Sequence, residues 1–437
     1  MHSFTLEKAK ACQKSTTPIS YFQMPPPPQK ARHRQLCHEP HRKTGPLCQR
    51  EGLSSDYEFP GPRFIFEAIF VEYDVVRFSS DNDYDTDLIV KLNTTDRHLN
   101  HRRVNSPLTM SGKLTPSTLL TCKTTGMKMP IFGLGTFQMN NEPMVKAMNR
   151  ALELGYRVFE SALLYKNENI IGQVLKEWFD SGKLKREDVF VITKLPGTYL
   201  RPEDVRDAID QQLKDLQLTY VDLYLIHHPV GVQRANIGQT AGGVANHRAM
   251  VLDMSTDLVA VWREMEKLVD QGLTKYIGLS NMNVKQVERI YQIARIKPSN
   301  LQIELHAYLH CNEEQQLCKK LDMTLTSYAT LGSPGLAKGA FDGSETPVIN
   351  DPLLKKIGGN YNKSPAQVLI RYLLQLGIAV IPKSVNPDHV KENIEAFDFE
   401  LSKADMQQLS GLEKGEAGRR FVLSQMMVHP EYPYAKK

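Results

Sequence analysis

Three polar side chains stand at the ends of three successive stretches that read as β-strands. Tyr165 lies shortly after the first stretch, Lys194 directly follows the second, and His227 ends the third. A phenol, an ammonium group and an imidazole that converge can protonate a carbonyl oxygen. Polar residues at successive strand ends are typical of the active site of a (β/α)8 barrel, because all its strands end at one face. The spacing therefore predicts a site that acts on a carbonyl group.

The elements that must position these side chains begin near Met110, where short β-rich stretches start to alternate with longer helical patterns. The predicted strands are Ile131–Leu134, Arg157–Glu160, Val189–Thr193, Val221–His227, Tyr276–Leu279, Leu301–Glu304, Thr324–Tyr328 and Ile378–Pro382. The predicted helices include Asn141–Glu153, Asn167–Ser181, Pro202–Asp215, Leu258–Gln271, Val284–Ile293, Glu313–Lys320 and Ser364–Leu376. This alternation predicts an α/β fold, a (β/α)8 TIM barrel, over residues 110–437.

A hairpin is expected to precede the barrel. The stretch Leu119–Ile131 reads as two short strands joined by a turn at Thr125–Gly126. A doubly wound open sheet is the structural alternative, but such a sheet carries a GxGxxG loop when it binds a dinucleotide. The stretch Gly133-Leu-Gly135 lacks the third glycine. The sequence therefore favours the closed barrel.

Residues 1–109 differ in composition from the rest of the chain. They are basic and rich in proline, glutamine and histidine up to Arg50, then acidic, and Phe64–Val76 is their one apolar run. A run of that length cannot support a domain by itself, so we predict a largely disordered N-terminal extension. No metal site is predicted in it, because one group of potential ligands fits no familiar zinc spacing. That group is Cys37, His38, His41 and Cys48.

The composition is that of a water-soluble protein. Of 437 residues, 41% are apolar and 24% are charged, and the net charge is +5 without a dense basic patch, so nucleic-acid binding is not predicted. No apolar stretch reaches the about 18 residues of a transmembrane helix, and no apolar signal segment precedes Pro25. The six cysteines show no regular spacing. The basic, acid-poor start leaves a transit peptide open as an alternative, and the default prediction is a cytoplasmic monomer without a membrane partner.

Several sequence blocks follow one another from Met129 onward. They are Met129-Pro-Ile-Phe-Gly-Leu-Gly-Thr136, Gly155-Tyr-Arg157, Tyr165-Lys-Asn-Glu168, Asp222-Leu-Tyr-Leu-Ile-His227, Tyr276-Ile-Gly-Leu-Ser-Asn281, Leu301-Gln-Ile-Glu-Leu-His306, Leu331-Gly-Ser-Pro334 and Ile381-Pro-Lys-Ser-Val385. With these blocks, the chain from about Met110 resembles the NADPH-dependent aldo-keto reductases. The resemblance implies hydride transfer from NADPH to the carbonyl of an aldehyde or ketone.

The resemblance also implies a catalytic tetrad. Tyr165, Lys194 and His227 fall on three of its positions, and Glu160 falls on the fourth, where the family usually has aspartate. Tyr165 is then the proton donor. Moving its pKa from ~10 toward ~7 takes about 4 kcal/mol, which a Lys194 cation about 4 Å away supplies at an effective dielectric constant of about 20. Glu160 would hold Lys194 with a longer side chain than aspartate, and His227 would orient the carbonyl.

A binding site for NADPH is implied in the same way. Ser280, Asn281 and Gln302 would bond the nicotinamide carboxamide, and Tyr328 would stack on the ring. His389 stands where the family usually has arginine, which weakens the expected preference for NADPH over NADH. The remaining cofactor residues implied by the resemblance are Thr136, Leu331, Ser333, Lys383, Ser384, Val385, Asn386, Glu392 and Asn393.

Substrate-binding residues are expected at three positions where relatives often carry tryptophan, namely Phe137, Pro196 and His228. The long loops at 231–255 and 332–350 and the tail at 414–437 should surround the mouth of the pocket. Aldehydes, sugars, steroid ketones and prostanoid-like ketones all stay open as substrates.

Two other functions stay open too. One is a catalytically weak, NADPH-binding redox-sensing partner protein, which the departure at Glu160 allows. The other is a hydroxysteroid-type dehydrogenase.

Overall fold

Strands and helices alternate through the described part of the chain, residues 113–234 and 250–434 of the computed structural model. The strands are β1 Leu119–Cys122, β2 Met127–Pro130, β3 Leu134–Gly135, β4 Val158–Glu160, β5 Phe190–Leu195, β6 Val221–Ile226, β7 Thr274–Ser280, β8 Asn300–Glu304, β9 Thr324–Tyr328 and β10 Ala379–Val380. The helices are α1 Asn141–Glu153, α2 Glu168–Asp180, α3 Val205–Leu216, α4 Leu258–Asp270, α5 Val284–Ile293, α6 Asn312–Lys320, α7 Pro352–Tyr361, α8 Pro365–Gln375, α9 Pro387–Ile394 and α10 Lys403–Ser410. The expected extension over residues 1–109, with its apolar run and its cysteine–histidine group, lies outside the described residues.

Within these residues, β3 to β10 form one eight-stranded sheet in which the strands follow chain order. Each neighbouring pair is parallel. The N–H of Gly133 donates to the carbonyl oxygen of Val380 at 3.0 Å, and the N–H of Val380 donates to that of Ile131 at 3.0 Å. These bonds join the last strand to the residues just before β3, so the curled sheet has the connectivity of a closed (β/α)8 barrel.

The expected hairpin precedes this sheet. β1 and β2 pair antiparallel, and Gly126 in the turn has a φ of +75°, a conformation that glycine adopts without steric cost.

The barrel wall consists of continuous buried stretches. All six residues of β5 and all six of β6 are buried, as expected of parallel strands that are covered on both faces. Most helices bury one face, whereas α8 is buried on all sides from Gln367 to Gln375. In α4, Trp262 and Met265 are buried, and the Asp257 side chain accepts the N–H groups that begin the helix. Among the described residues, no helix is both long enough and apolar enough to cross a membrane.

The predicted bounds of α1, α5 and β9 agree with the structure, and the other predicted elements differ from it by a few residues at their ends. The short helices α7, α9 and α10 do not follow from the sequence pattern. In α7 the reason is that Gly358 and Gly359 each make the helix less favourable by about 1 kcal/mol, so the sequence does not predict a helix there. Burial of Leu354 and the cap formed by Asp351 offset that cost.

Candidate active site

The four expected tetrad residues meet at the carboxyl ends of three neighbouring strands. Glu160 is the last residue of β4, Lys194 lies near the end of β5, and His227 directly follows β6. Tyr165 ends a short 3-10 turn in the loop between β4 and α2. Because β4 pairs with β5 and β5 pairs with β6, the sheet brings together residues that are far apart in the sequence.

Lys194 is the centre of this group. Its side chain is 1% exposed and forms an ion pair with Glu160 Oε1. It also donates to the carbonyl oxygen of Ser161 at 2.8 Å and to Tyr165 Oη at 3.2 Å. These three acceptors match the three N–H donors of an ammonium group. Burial lowers the pKa of Lys194 well below its usual range, and the ion pair opposes that shift. The contacts therefore fit the cationic form.

Tyr165 presents its hydroxyl group to both members of the ion pair. Its Oη donates to Glu160 Oε1 at 3.4 Å and accepts from Lys194. Burial raises the pKa of the Tyr165 phenol above its usual value. Burial therefore acts against the expected shift toward ~7, because it disfavours the phenolate. The phenol is protonated, which is the state that a proton donor requires.

His227 lies beside Tyr165, with their ring centroids 5.7 Å apart. Burial and the charge of Lys194 lower the pKa of His227 well below its usual value, so the imidazole is neutral. Its backbone N–H donates to the carbonyl oxygen of Leu195 at 2.9 Å, which fixes the residue to the end of β5. Nδ1 is buried and has no hydrogen-bond partner in the described part of the chain. A neutral imidazole in this setting can bond a ligand through a ring nitrogen.

Gly135, the last residue of β3, allows this strand to approach the tetrad closely. A Cβ at this position would lie 2.6 Å from the carbonyl oxygen of Ile381 and 3.4 Å from Glu160 Oε2. The next residue, Thr136, donates through Oγ1 to the carbonyl oxygen of Glu160 at 3.0 Å. Thr136, an expected cofactor residue, therefore fixes the backbone at Glu160.

A cavity of about 720 Å³ opens at the tetrad, and Glu160, Tyr165 and His227 line it. All three expected substrate residues are in its wall, namely Phe137, Pro196 and His228. The C-terminal tail contributes Phe421, Leu423, Met426 and Tyr434. Burial and the proximity of His429 lower the pKa of His228 to about 3. The His228 imidazole in the cavity wall is therefore uncharged.

The expected nicotinamide-binding residues lie together at the ends of β7, β8 and β9. Those in the cavity wall are Ser280, Asn281, Gln302, Tyr328 and, further along, Ser333. Asn281 Nδ2 donates to the carbonyl oxygen of His227 at 2.8 Å, and Tyr328 Oη donates to Asn281 Oδ1 at 2.6 Å. Gln302 Nε2 is buried and has no hydrogen-bond partner among the described residues. Buried amide donors are normally paired, so this one fits a ligand that carries an acceptor, as the nicotinamide carboxamide does.

The other expected cofactor residues are not brought into this cavity. They are Thr136, Leu331, Lys383, Ser384, Val385, Asn386, His389, Glu392 and Asn393. All but Thr136 and Leu331 lie in the segment after β10, where Asn386 accepts the N–H of Asp388 at 2.9 Å and so caps α9. His389 is exposed and Asn393 is buried. These cofactor roles therefore stay predictions.

Asn167 supports the loop that carries Tyr165, although the sequence alone does not single it out. Its Nδ2 donates to the carbonyl oxygens of Thr136 at 2.9 Å and Met139 at 2.8 Å, and its Oδ1 accepts from Ser161 Oγ at 2.8 Å. Asn167 is fully buried. The polar pair Asn167–Glu168, two residues beyond the expected acid, is the signal that could have drawn attention to both residues.

The second of these residues, Glu168, begins α2 and is buried behind β5. Its Oε1 accepts from Thr193 Oγ1 at 2.5 Å and from Gln212 Nε2 at 3.0 Å. Gln212 Nε2 also lies 3.2 Å from the carbonyl oxygen of Lys194. Burial raises the pKa of Glu168 to about 7. The network connects the loop of the proton donor to the strand that carries Lys194.

Known proteins are similar to this chain in sequence and in fold. The chain matches the Aldo/keto reductase family over residues 131–414. It is 39% identical over 323 residues to aldo-keto reductase family 1 member A1-A of Danio rerio, covering 71% of this chain and 96% of that protein. It is 38% identical over 320 residues to prostaglandin F synthase 2 of Bos taurus, with coverages of 71% and 96%. The structure of the aldose reductase from Schistosoma japonicum superimposes with a TM-score of 0.65 at 39% identity, covering 74% of this chain and 100% of that one.

Proposed function

This chain belongs to the aldo/keto reductase family, and from that premise we propose that it reduces an aldehyde or ketone with NADPH, with Tyr165 as the proton donor. One observation carries the proposal. The buried Lys194 ammonium group contacts Glu160 and Tyr165 Oη at the same time, and both of these residues line the cavity. A protonated phenol beside a fixed cation is the arrangement that proton delivery to a carbonyl oxygen requires.

Each residue would have a separate task in this reaction. The Tyr165 phenol holds its proton until the carbonyl oxygen gains charge, because burial disfavours the phenolate. The Lys194 cation stabilises the phenolate that remains once the proton has left. His227, neutral at physiological pH, can donate one hydrogen bond to the carbonyl oxygen and so orient it.

NADPH, when bound, supplies the hydride. Asn281 and Gln302 would hold its amide end, because Gln302 Nε2 lacks a partner in the described structure and lies in the cavity wall. Tyr328, in the same wall, would cover the ring. The intact contact between Glu160 and Lys194 favours turnover over the alternative of a catalytically weak, redox-sensing protein.

The part of the cavity beyond the tetrad favours an apolar substrate. The whole cavity of about 720 Å³ also includes the space beside Ser280, Gln302 and Tyr328 that the nicotinamide would fill, so the substrate would occupy only the remaining part. Aromatic and aliphatic residues of the tail and of the loops dominate the part beyond the tetrad, among them Phe137, Phe341, Phe421 and Met426. We therefore propose an aromatic or other bulky ketone or aldehyde before a sugar.

A turnover assay tests the proposal. Full-length protein is mixed with NADPH and a panel of aldehydes and ketones, and NADPH absorbance is followed. Tyr165→Phe should lower kcat by about 10²–10⁴-fold, while the Kd for NADPH, measured by fluorescence, stays nearly unchanged. The matched control is Tyr276→Phe, because this tyrosine lies on β7 with its hydroxyl group near the carbonyl oxygen of Gly126 and away from the cavity.

Two outcomes would contradict the proposal in different ways. Equal turnover in Tyr165→Phe and in the unaltered protein would refute the role of Tyr165. Tight NADPH binding without turnover of any carbonyl compound would instead favour the redox-sensing alternative.

The exposed segment after β10 permits a separate test of the cofactor. His389→Arg should tighten NADPH binding by about 1.5–3 kcal/mol at most, through a charge-assisted fork to the 2′-phosphate. NADH binding should barely change. A parallel shift for both cofactors would show that residue 389 does not meet the 2′-phosphate.

A further inference from the structure

Glu304 attaches the C-terminal tail to the barrel through two consecutive backbone amides. It is the last residue of β8 and is fully buried. Its Oε1 accepts the N–H of Arg420 at 2.7 Å, and its Oε2 accepts the N–H of Phe421 at 2.9 Å. His306 Nε2 lies 3.1 Å from Oε1 and donates to it, because a carboxylate can only accept. Both carboxylate oxygens are therefore engaged.

The Glu304 carboxylate is ionised at this position. Burial raises its pKa, but hydrogen bonds from His306 and from the Phe421 amide, together with the charge of Arg419, lower the pKa below its usual range. Hydrogen bonds to an ionised acceptor are about twice as strong as neutral ones. A glutamine could not replace this carboxylate, because its NH₂ group would face a backbone N–H donor.

The loop at 332–350 holds the same tail segment, residues 419–422, from another side. The N–H of Asp342 donates to the carbonyl oxygen of Val422 at 2.9 Å, and the N–H of Ser344 donates to that of Arg419 at 2.7 Å. Gly343 lies between these two bonds, and a Cβ there would be 2.4 Å from the carbonyl oxygen of Arg419. Segment 419–422 is thus fixed both by Glu304 and by the backbone of this loop.

This attachment places the Phe421 ring in the cavity wall. Its centroid lies 4.7 Å from that of Phe341, 5.4 Å from that of Tyr328 and 6.2 Å from that of Phe137. Phe137 in turn meets the Tyr165 ring edge-on at 5.1 Å. A continuous aromatic wall therefore leads from the tail to the expected proton donor.

We propose that Glu304 is a positioning residue for substrate binding. By holding segment 419–422 it fixes Phe421 in the wall, and Phe421 then contacts carbonyl substrates that carry a large aromatic or aliphatic group. The inference rests on the proposed carbonyl reduction. A large ketone needs this wall, whereas a small aldehyde held at the tetrad does not reach it.

The experiment compares Glu304→Gln with the control Glu288→Gln, which alters an exposed glutamate on α5 that pairs with Lys320. Each full-length variant is assayed with a bulky aromatic ketone and a short aliphatic aldehyde. In Glu304→Gln, KM for the ketone should rise about tenfold, as for the loss of about one charge-assisted hydrogen bond. Its kcat and the KM for the aldehyde should change by less than about twofold. The control should match the unaltered protein.

Hydrogen exchange gives a readout that does not depend on turnover. The Arg420 and Phe421 amides should lose protection in Glu304→Gln and keep it in Glu288→Gln. Unchanged protection, or an equal rise of KM for both substrates, would overturn the inference while the proposed function stands. Absence of turnover in the unaltered protein would overturn the proposed function instead.

A second variant keeps the inference testable should Glu304→Gln not fold. Phe421→Ala leaves the backbone amide of residue 421 in place and removes only the ring. It should raise KM for the bulky ketone and leave KM for the small aldehyde unchanged. Equal KM values for the ketone in Phe421→Ala and in the unaltered protein would refute the role of this wall.

Discussion

Glu160 and Glu304 are both buried glutamates at the carboxyl end of a barrel strand, yet their carboxylates face different kinds of partner. Glu160 contacts the ammonium group of Lys194, whereas Glu304 accepts backbone N–H groups of the tail. The first pairing fixes a side chain that takes part in the proposed reaction, and the second fixes a segment of main chain. Similar positions around one barrel thus serve chemistry in one case and the shape of the cavity in the other.

Removing the partner of Glu160 is expected to have the largest effect. Lys194→Met preserves most of the side-chain length but leaves Glu160 buried without its counter-charge. Breaking a buried pair in this way costs about 3–5 kcal/mol of unfolding free energy. The value of kcat should also fall by about 10²–10⁴-fold, because the phenolate of Tyr165 loses its stabilising cation. Urea unfolding and turnover assays measure the two effects.

Two controls separate the buried charge from the loss of packing. The double variant Glu160→Gln with Lys194→Met removes both charges and should regain part of the unfolding free energy, but not turnover. Lys320→Met breaks an exposed pair with Glu288, with side chains 71% and 39% exposed, and should cost only about 0–1 kcal/mol. A double variant as unstable as Lys194→Met would show that the isolated charge is not the cause.

Glu168 extends the comparison to a buried glutamate that accepts hydrogen bonds from two neutral side chains, those of Thr193 and Gln212. Its pKa is raised from 4.5 to about 7 by burial. Between these two pH values the unfolded chain ionises while the folded protein still holds the proton. Stability should therefore fall as pH rises through this window, by on the order of 3 kcal/mol at most, and stay level above it.

Glu168→Gln should remove this pH dependence, because a glutamine oxygen can still accept from Thr193 and Gln212 without ever ionising. Melting temperatures between pH 5 and pH 8 provide the measurement. A slope in the variant as steep as in the unaltered protein would mean that another group titrates in this range.

The contrast between the first two glutamates also shows what a sequence can reveal. Local apolar patterns predict the strands that precede Tyr165, Lys194 and His227. Parallel strands in chain order must end at one face of the barrel. The barrel and the meeting of the tetrad were therefore predictable. The family resemblance then pointed to Glu160, whose partner is a lysine at the end of the next strand.

The role of Glu304 was not predictable in this way. Its partners are backbone amides 116 and 117 residues further along the chain, and an amide carries no sequence signal. The direction of the pKa shift of Tyr165 was not predictable for a related reason, since the shift depends on burial by segments distant in sequence. The local pattern of apolar residues predicts where strands end. The contacts that close the cavity join residues that are distant in sequence, so they can be seen only in the folded chain.

The length of the Glu160 side chain can be tested directly. Glu160→Asp is expected to maintain or raise kcat, because aspartate is the residue that the family usually carries at this position and its charge still serves Lys194. The reason is that misplacement of about 1 Å can change a rate by roughly 100-fold. A fall in kcat of more than about tenfold would show that the surrounding site is adapted to glutamate. Glu153→Asp, on the exposed end of α1 beside Arg150, is the matched control.

The smallest expected effect concerns how the hydrogen bonds between Glu304 and the tail amides depend on pH. Its pKa is held below the usual range, so its stabilising contribution is complete above the unfolded value of about 4.3. That contribution is lost only as pH falls through the lower, folded value. Between pH 8 and pH 5 the protection factors of the Arg420 and Phe421 amides, corrected for intrinsic exchange, should therefore stay constant while Glu168 titrates. A loss of protection near pH 6 to 7 would mean that Glu304 takes up a proton in that range. The tail would then be fixed by a titrating carboxyl group, and the contrast with Glu168 would be wrong.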